Sequence, residues 1–337
     1  MGRSVLIFIL CAGAIALLGT RMTKLSDRLA DKTGMGEAMI GAVFLGGSTS
    51  LSGIVTSVTA ANNNHPSLAI SNAIGGIAAQ TVFLAIADLF YRRANLEHAA
   101  ASVANLIQGT LLITLLSLPL LAIATPEISL WGWIHPVSGL LILIYIFGLF
   151  LTSEVRAKPM WRPRKTEQTR FDEPEEITTN DSLLRLWGQF IILAGLLGEA
   201  GYFVAKSGLV IAENTGLSES VMGGIFTAVV TSLPELVTTV AAVREGALML
   251  AVGGVMGGNS FDVLFLAISD FAYDQGSIYQ AITNYEIFAI ALTILITSIL
   301  LLGLLRREKH GIANIGFESF LVILCYLGGY LFLFLRG

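Results

Sequence analysis

Apolar runs of roughly 18–25 residues recur ten times along this chain, the length an α-helix needs to cross a bilayer. In hydrocarbon every backbone N–H and C=O must find its partner within the protein, which helices achieve on their own. The expected fold is therefore an all-α polytopic membrane protein. Composition agrees: 13% of the residues are charged, against roughly a quarter in a soluble domain. The spans read as 4–20, 34–61, 66–91, 100–123, 131–152, 183–206, 215–243, 247–271, 281–304 and 312–335. Cys11 and Cys325 lie inside such runs and read as packing residues, not as a disulfide or metal framework.

One long polar linker, 154–182, separates five spans from five. It contains RPRKTEQTR followed by DEPEE. The expected domains are a first five-helix repeat, 1–153, this linker, and a second repeat, 183–337. The halves match each other at a shift of 182 residues. Between Ala30–Phe90 and Ala212–Ala272 there are 22 identities in 61 ungapped positions. Apolar composition alone gives roughly a tenth, so an internal duplication accounts for the match better. Ser4–Leu18 has the length of a signal peptide. The same shift carries it onto the sixth span, so it reads as a retained first span. Five spans per repeat place the second copy upside down relative to the first, the inverted plan of many secondary transporters.

Lys and Arg set the orientation. With the N-terminus outside, 17 of them fall on inside segments and three (Arg3, Lys206 and Arg336) outside, a strong positive-inside bias. Both termini are expected outside and the 154–182 linker in the cytoplasm, in a plasma or inner membrane. The basic residues are spread over all the inside loops, so nucleic acid is not an expected partner.

Two acids, Glu235 and Asp262, lie near the centres of apolar spans, where an acid costs ~2.5–3.5 kcal/mol on insertion scales. Glu235 follows Pro234 in TSLPE. Proline lacks an N–H and disrupts the preceding turn, freeing carbonyls near Val230 and Thr231. Helical spacing puts Thr231 and Ser232 on the Glu235 face. The competing reading is a kinked helix with a packed, protonated Glu. Asp262 lies in GGNSFD and shares a face with Gly258 and Asn259. The Gly257–Gly258 pair allows local unwinding and close helix approach. Hard oxygens of this kind suit calcium or sodium. In the first repeat the shift carries Glu235 onto Gly53, Pro234 onto Ser52 and Asp262 onto Gln80, while Thr49 and Ser50 are kept. Asn72 reads as a polar bridge. Asp88 and Asp270 read as interfacial anchors or caps, and Glu37 and Glu219 as first-turn acids favoured by the helix dipole. Glu199 reads as a proton or sodium carboxylate or as an outer-interface residue.

The TSLPE and GGNSFD runs, with ten spans and inverted halves, resemble the calcium/cation antiporter superfamily, which includes the sodium/calcium exchangers. The resemblance covers nearly the whole chain. It implies ion contacts by Thr231, Ser232, Glu235 and Asp262, with the Gly258 backbone and Asn259 beside them, and by Thr49, Ser50 and Gln80 from the first repeat. It implies broken helices at the midplane, and inorganic cations and the lipid bilayer as partners. The family pattern has a Glu in each repeat, and Gly53 departs from it. The expected function is secondary active antiport of Ca2+ against Na+ or H+ by alternating access, with no cofactor and no enzymatic activity. The alternatives are a monovalent cation/proton antiporter on the same fold and a degenerate, non-transporting member. Oligomeric state is left open.

Overall fold

The computed structural model describes residues 1–33, 39–91, 94–126, 132–164, 182–309, 311 and 316–336, with the backbone alone for 39–42. Most of the linker, together with Glu37, Arg92, Arg93, Lys165 and Arg170, lies outside the described residues. Among those described, eight helices are long and apolar enough to cross a bilayer. Two bent pairs bring the number to ten when each counts as one span.

The first half runs α1 (Gly2–Thr33), the bent pair α2 (Met39–Thr49) and α3 (Leu51–Asn62), α4 (Pro66–Asp88), a short α5 (Leu96–Ala99), α6 (Val103–Ala124) and α7 (Pro136–Ala157). The second half begins with α8 (Leu183–Thr215). A bent span follows, made of α9 (Glu219–Val221), a π turn (Met222–Thr227), α10 (Ala228–Thr231) and α11 (Leu233–Glu245). Then come α12 (Leu248–Asp262), α13 (Leu264–Ala272), α14 (Asn284–Arg306) and α15 (Phe317–Arg336). The core of the bundle is α4, whose apolar window is 94% buried, against 22% for α1. Leu6, Leu10 and Leu17 on α1, Leu143 and Phe147 on α7, and Leu331 and Leu335 on α15 are exposed. Such a belt suits lipid, not water.

Two expected boundaries are corrected. The first span is not 4–20 but the 32 residues of α1, and the sixth is not 183–206 but the 33 residues of α8. At ~1.5 Å per residue each reaches about 48 Å, well beyond an apolar thickness of about 30 Å, so each tilts or runs on past the hydrocarbon. Hydropathy sees only the lipid-facing stretch. The second half of α1 is amphipathic and buries Met22, Leu25 and Leu29 while its charged residues face out. A third correction concerns Gly257–Gly258: α12 stays helical through both and breaks only at Val263. These glycines serve close approach, since a Cβ on Gly257 would lie 3.1 Å from Gln108 Nε2.

The duplication is visible as a two-fold relation. Asn259 donates to the Ile77 carbonyl at 3.3 Å, and those residues are 182 apart. A residue can touch its own repeat mate only beside the axis relating the copies. A Cβ on Gly19 would run into Pro234, and one on Gly201 into the Ser52 backbone. Gly19 and Gly201 are repeat mates, as are Ser52 and Pro234. The first helix of each half therefore crosses the broken span of the other half. Asp88 accepts from Leu96 N at 2.7 Å, and Asp270 accepts from Ile278 N at 3.0 Å, a matching pair of anchors.

Candidate cation site

The two bent spans break at repeat-related serines. Ser50 has φ −90° and ψ 9°, and Ser232 has φ −99° and ψ 6°. Both sit in the sparsely populated bridge region, where many functional residues lie. The helix directions change by 69° at the first break and 47° at the second. Pro234 explains the second: it offers no N–H to Val230, so the carbonyls before it lose their usual donors. One of these, Thr231 O, takes a long 3.5 Å bond from Ser52 Oγ. No proline stands at the first break. There the Ser50 region is shaped by packing, with Gly46 and Gly47 lying against the Phe261 ring.

A small cavity opens between the breaks, lined by Ser50, Gly53, Asn72, Ala73, Gly76, Gln80, Thr231, Ser232, Glu235, Asp262 and Phe265. Its volume, ≈ 10 Å³, has room for about one water. Asp262 is fully enclosed. Its Oδ1 accepts from Ser50 Oγ at 2.6 Å and its Oδ2 from Gln80 Nε2 at 2.7 Å. Gln80 and Asp262 are repeat mates, so the site straddles the two-fold axis. Gln80 also reaches Ser232 Oγ at 3.5 Å, the mirror of the Ser50–Asp262 contact.

Glu235, in the first turn of α11, is treated differently. The residue is half-buried, yet its Oε2 atom is covered and has no hydrogen-bond partner among the described residues. Among the described residues no basic side chain lines the cavity. The two carboxylates thus share one enclosure, one satisfied by neutral donors and the other lacking a partner on one oxygen.

Of the residues expected at the site, Ser50, Gln80, Thr231, Ser232, Glu235 and Asp262 meet at this cavity. Gly258 lies next to it: a Cβ there would be 3.7 Å from Gln80 Oε1. Thr49 and Asn259 do not line it. Thr49 Oγ1 returns to the Leu45 and Gly46 carbonyls, both at 3.1 Å, and Asn259 Nδ2 turns to Ile77 O and Thr81 Oγ1. Among the described residues, no three His, Cys, Asp or Glu side chains group as a metal site, so any cation here needs hydroxyl, amide and backbone oxygens beside the two acids.

Asn72 is the expected bridge: it donates to Ser57 Oγ at 2.9 Å and accepts from Thr227 Oγ1 at 2.7 Å. It also lines the cavity, as does Gly76, whose repeat relation to Gly258 was the available signal. Phe265, three residues past Asp262, carried no such signal. Its ring fills the space beside Gly53, where a Cβ would lie 2.9 Å from Cε2. Gly53 therefore leaves no hole where the family pattern has an acid. Glu199 is exposed on α8, outside the cavity.

The family model for sodium/calcium exchanger proteins matches residues 3–153 and again 185–335. This chain belongs to that family. The two matches are offset by the same 182 residues as the internal repeat. The chain is 32% identical over 136 residues to the sodium/calcium exchanger MaX1 of Methanosarcina acetivorans, a stretch covering 40% of this chain and 39% of that one. It is 25% identical over 236 residues to the inner membrane protein YrbG of Escherichia coli, covering 69% and 68%. In fold it is similar to the H+/Ca2+ exchanger CAX, with TM-score 0.68, 11% identity, and 97% and 82% of the chains covered. It is likewise similar to the sodium-calcium exchanger NCX_Mj soaked with Na+ and Sr2+, with TM-score 0.61, 20% identity and 96% of each chain covered. The protein is an integral membrane exchanger of the calcium/cation antiporter superfamily, a transporter and not an enzyme.

Proposed function

We propose that this exchanger carries Ca2+ against Na+ or H+ by alternating access, with the ion held between the halves by Glu235 and Asp262. The observation that carries this reading is Glu235 Oε2, covered and without a partner in the enclosure that also holds Asp262. An ionised acid there needs a cation, and no side chain supplies one. Ser50, Thr231, Ser232 and Gln80 add neutral oxygens of the kind Ca2+ takes. Lipid faces the outer helices, both termini lie outside and the 154–182 linker is cytoplasmic. Movement of one helix group against the rest exposes the site to either side.

Charge sets the stoichiometry. Two acids are neutralised by one Ca2+ or by two monovalent cations, so both loaded forms are neutral and the empty form carries two buried charges. The empty form crosses poorly because buried unpaired charge is costly, and that barrier makes the process exchange and not leak. Either two Na+ or two H+ satisfy that charge balance.

The test is calcium-45 uptake into proteoliposomes against an outward Na+ gradient, an outward H+ gradient, or neither. The expected result is uptake driven by one gradient only, two monovalent charges moving per Ca2+, and a rate unaffected by a valinomycin-imposed potential. A voltage-dependent rate would require a third coupled charge and overturn the two-acid site. Absence of uptake under both gradients would remove Ca2+ as the substrate.

A further inference from the structure

Eight residues beyond Gln80, about 12 Å along α4 at ~1.5 Å per residue, a second group of acids is buried away from the transport cavity. Asp88 ends α4, Glu97 sits on α5 and Glu318 opens α15; all three are fully enclosed. Asp88 is satisfied by backbone donors, Leu96 N at 2.7 Å and Gly316 N at 3.2 Å. Glu97 Oε1 accepts from Ser319 Oγ at 3.3 Å. Glu97 Oε2 and both Glu318 oxygens have no hydrogen-bond partner among the described residues. Glu318 is wedged between chain segments: a Cβ on Gly303 or on Gly316 would overlap it.

The other half of the molecule shows what the fold requires at this place. The repeat mates of Asp88, Leu96 and Glu97 are Asp270, Ile278 and Tyr279. There the anchor is the same, with Ile278 N donating to Asp270 at 3.0 Å. The groups around it are not acids, however: His135 N donates to Asp270 at 2.8 Å, and the His135 ring packs against Tyr279. Ser138 Oγ donates to Asp270 at 2.7 Å and meets the Tyr279 hydroxyl at 2.9 Å. Packing at this corner thus needs one acid. The first half places two more beside it.

The nearby charged groups make contacts of their own. His98 Nδ1 bonds to Arg307 O at 2.7 Å. Arg307 donates to His98 O at 3.0 Å and to Arg164 O at 2.6 Å. Arg306 lies over the Phe317 ring at 4.9 Å and reaches Glu308 at 3.4 Å. Asn95 takes the carbonyls of Glu308 and Lys309, at 3.0 and 3.1 Å. Tyr91, three residues past Asp88, is buried. The described residues hold no metal-type cluster, and a proton is a ligand that two adjacent buried carboxyls can share.

We propose that Glu97 and Glu318 bind a proton between them and form a pH-responsive latch, tying the start of α15 to the connection between α4 and α6. The proton rests on one carboxyl and is donated to the other; at alkaline pH it leaves to water and the two charges repel. Arg306, Arg307 and Lys309 put this mouth on the cytoplasmic side under the positive-inside rule, so the latch reads cytoplasmic pH. Burial holds the Glu97 carboxyl well above the usual carboxylate range, and Asp88 and then Glu318 push it further up. A carboxyl raised in the folded state contributes stability that is complete below its unfolded value and is lost as pH rises through the folded value.

The test is the melting temperature of the full chain in detergent from acid to alkaline pH. The wild type is expected to lose stability as pH rises. Glu97→Gln and Glu318→Gln should each flatten that slope and melt above the wild type at alkaline pH, since an amide keeps a donor between the side chains and carries no charge. Tyr279→Phe, at the opposite corner, should lower the melting temperature by the same amount at every pH. The infrared carbonyl band of a protonated acid should be present in the wild type at neutral pH and weaken in Glu97→Gln. Slopes in both Gln variants parallel to the wild type, with that band unchanged, would overturn the latch. So would a melting temperature raised by Ca2+ or Na+ in the wild type and not in Glu97→Gln, which would make the site a metal site.

Discussion

Glu235→Gln is expected to lower cation exchange in proteoliposomes by about two to three orders of magnitude. Removing one member of a buried charge set costs about 3–5 kcal/mol, and every ~1.4 kcal/mol is a factor of ten. Glutamine has nearly the same shape, so α11 and its break at Ser232 should survive, and melting near neutral pH should change little. The loss is one of charge. With Asp262 alone, a Ca2+ ion in the cavity leaves an uncompensated positive charge, because Ser50, Gln80, Thr231 and Ser232 bring only dipoles. Glu235→Asp keeps the charge and withdraws it by one methylene, so partial flux is expected. Calcium-45 flux at matched protein density is the measurement, and flux in Glu235→Gln close to that of the wild type would move the site elsewhere.

Gly75→Val is expected to prevent the protein from folding to a single species. A Cβ at Gly75 would overlap the Gly224 backbone at its carbonyl and Cα. Gly224 lies in the π turn Met222–Thr227, whose backbone passes directly across α4. Overpacking costs about 1–3 kcal/mol, occasionally more, even where flexible side chains can give way; here the obstacle is backbone, so the upper end or beyond applies. The consequence reaches the transport site, because α4 carries Asn72, Gly76 and Gln80 in the cavity wall. Gly13→Val is the control, since nothing lies within 4 Å of a Cβ there. Size-exclusion profiles of the two variants after detergent extraction should separate them: a monodisperse peak for Gly13→Val, aggregate or no peak for Gly75→Val. A monodisperse, normally melting Gly75→Val protein would show that the two backbones can part freely.

The number of spans, the duplication and the two central acids were determined by the sequence alone. Each is a local property or a comparison of the chain with itself: length of apolar run, identity at a shift of 182, an acid where hydrocarbon is expected. Helical spacing also put Ser232 and Thr231 beside Glu235. Only the tertiary structure decided which faces look inward. Spacing says which residues share a helix face, but rotation about the helix axis is set by packing, and so Thr49 and Asn259 turn to neighbouring backbone and side-chain oxygens while Asn72 and Gly76 reach the cavity. The break at Ser50 has no proline to announce it; Gly46 and Gly47 just before it lie against Phe261 on a distant helix. Phe265 closing the space beside Gly53 is of the same kind. Glu97 and Glu318 sit at the edges of apolar runs, where acids are ordinary. Their meeting in a dry corner is a contact between segments far apart in the chain, and such contacts leave no trace in local pattern.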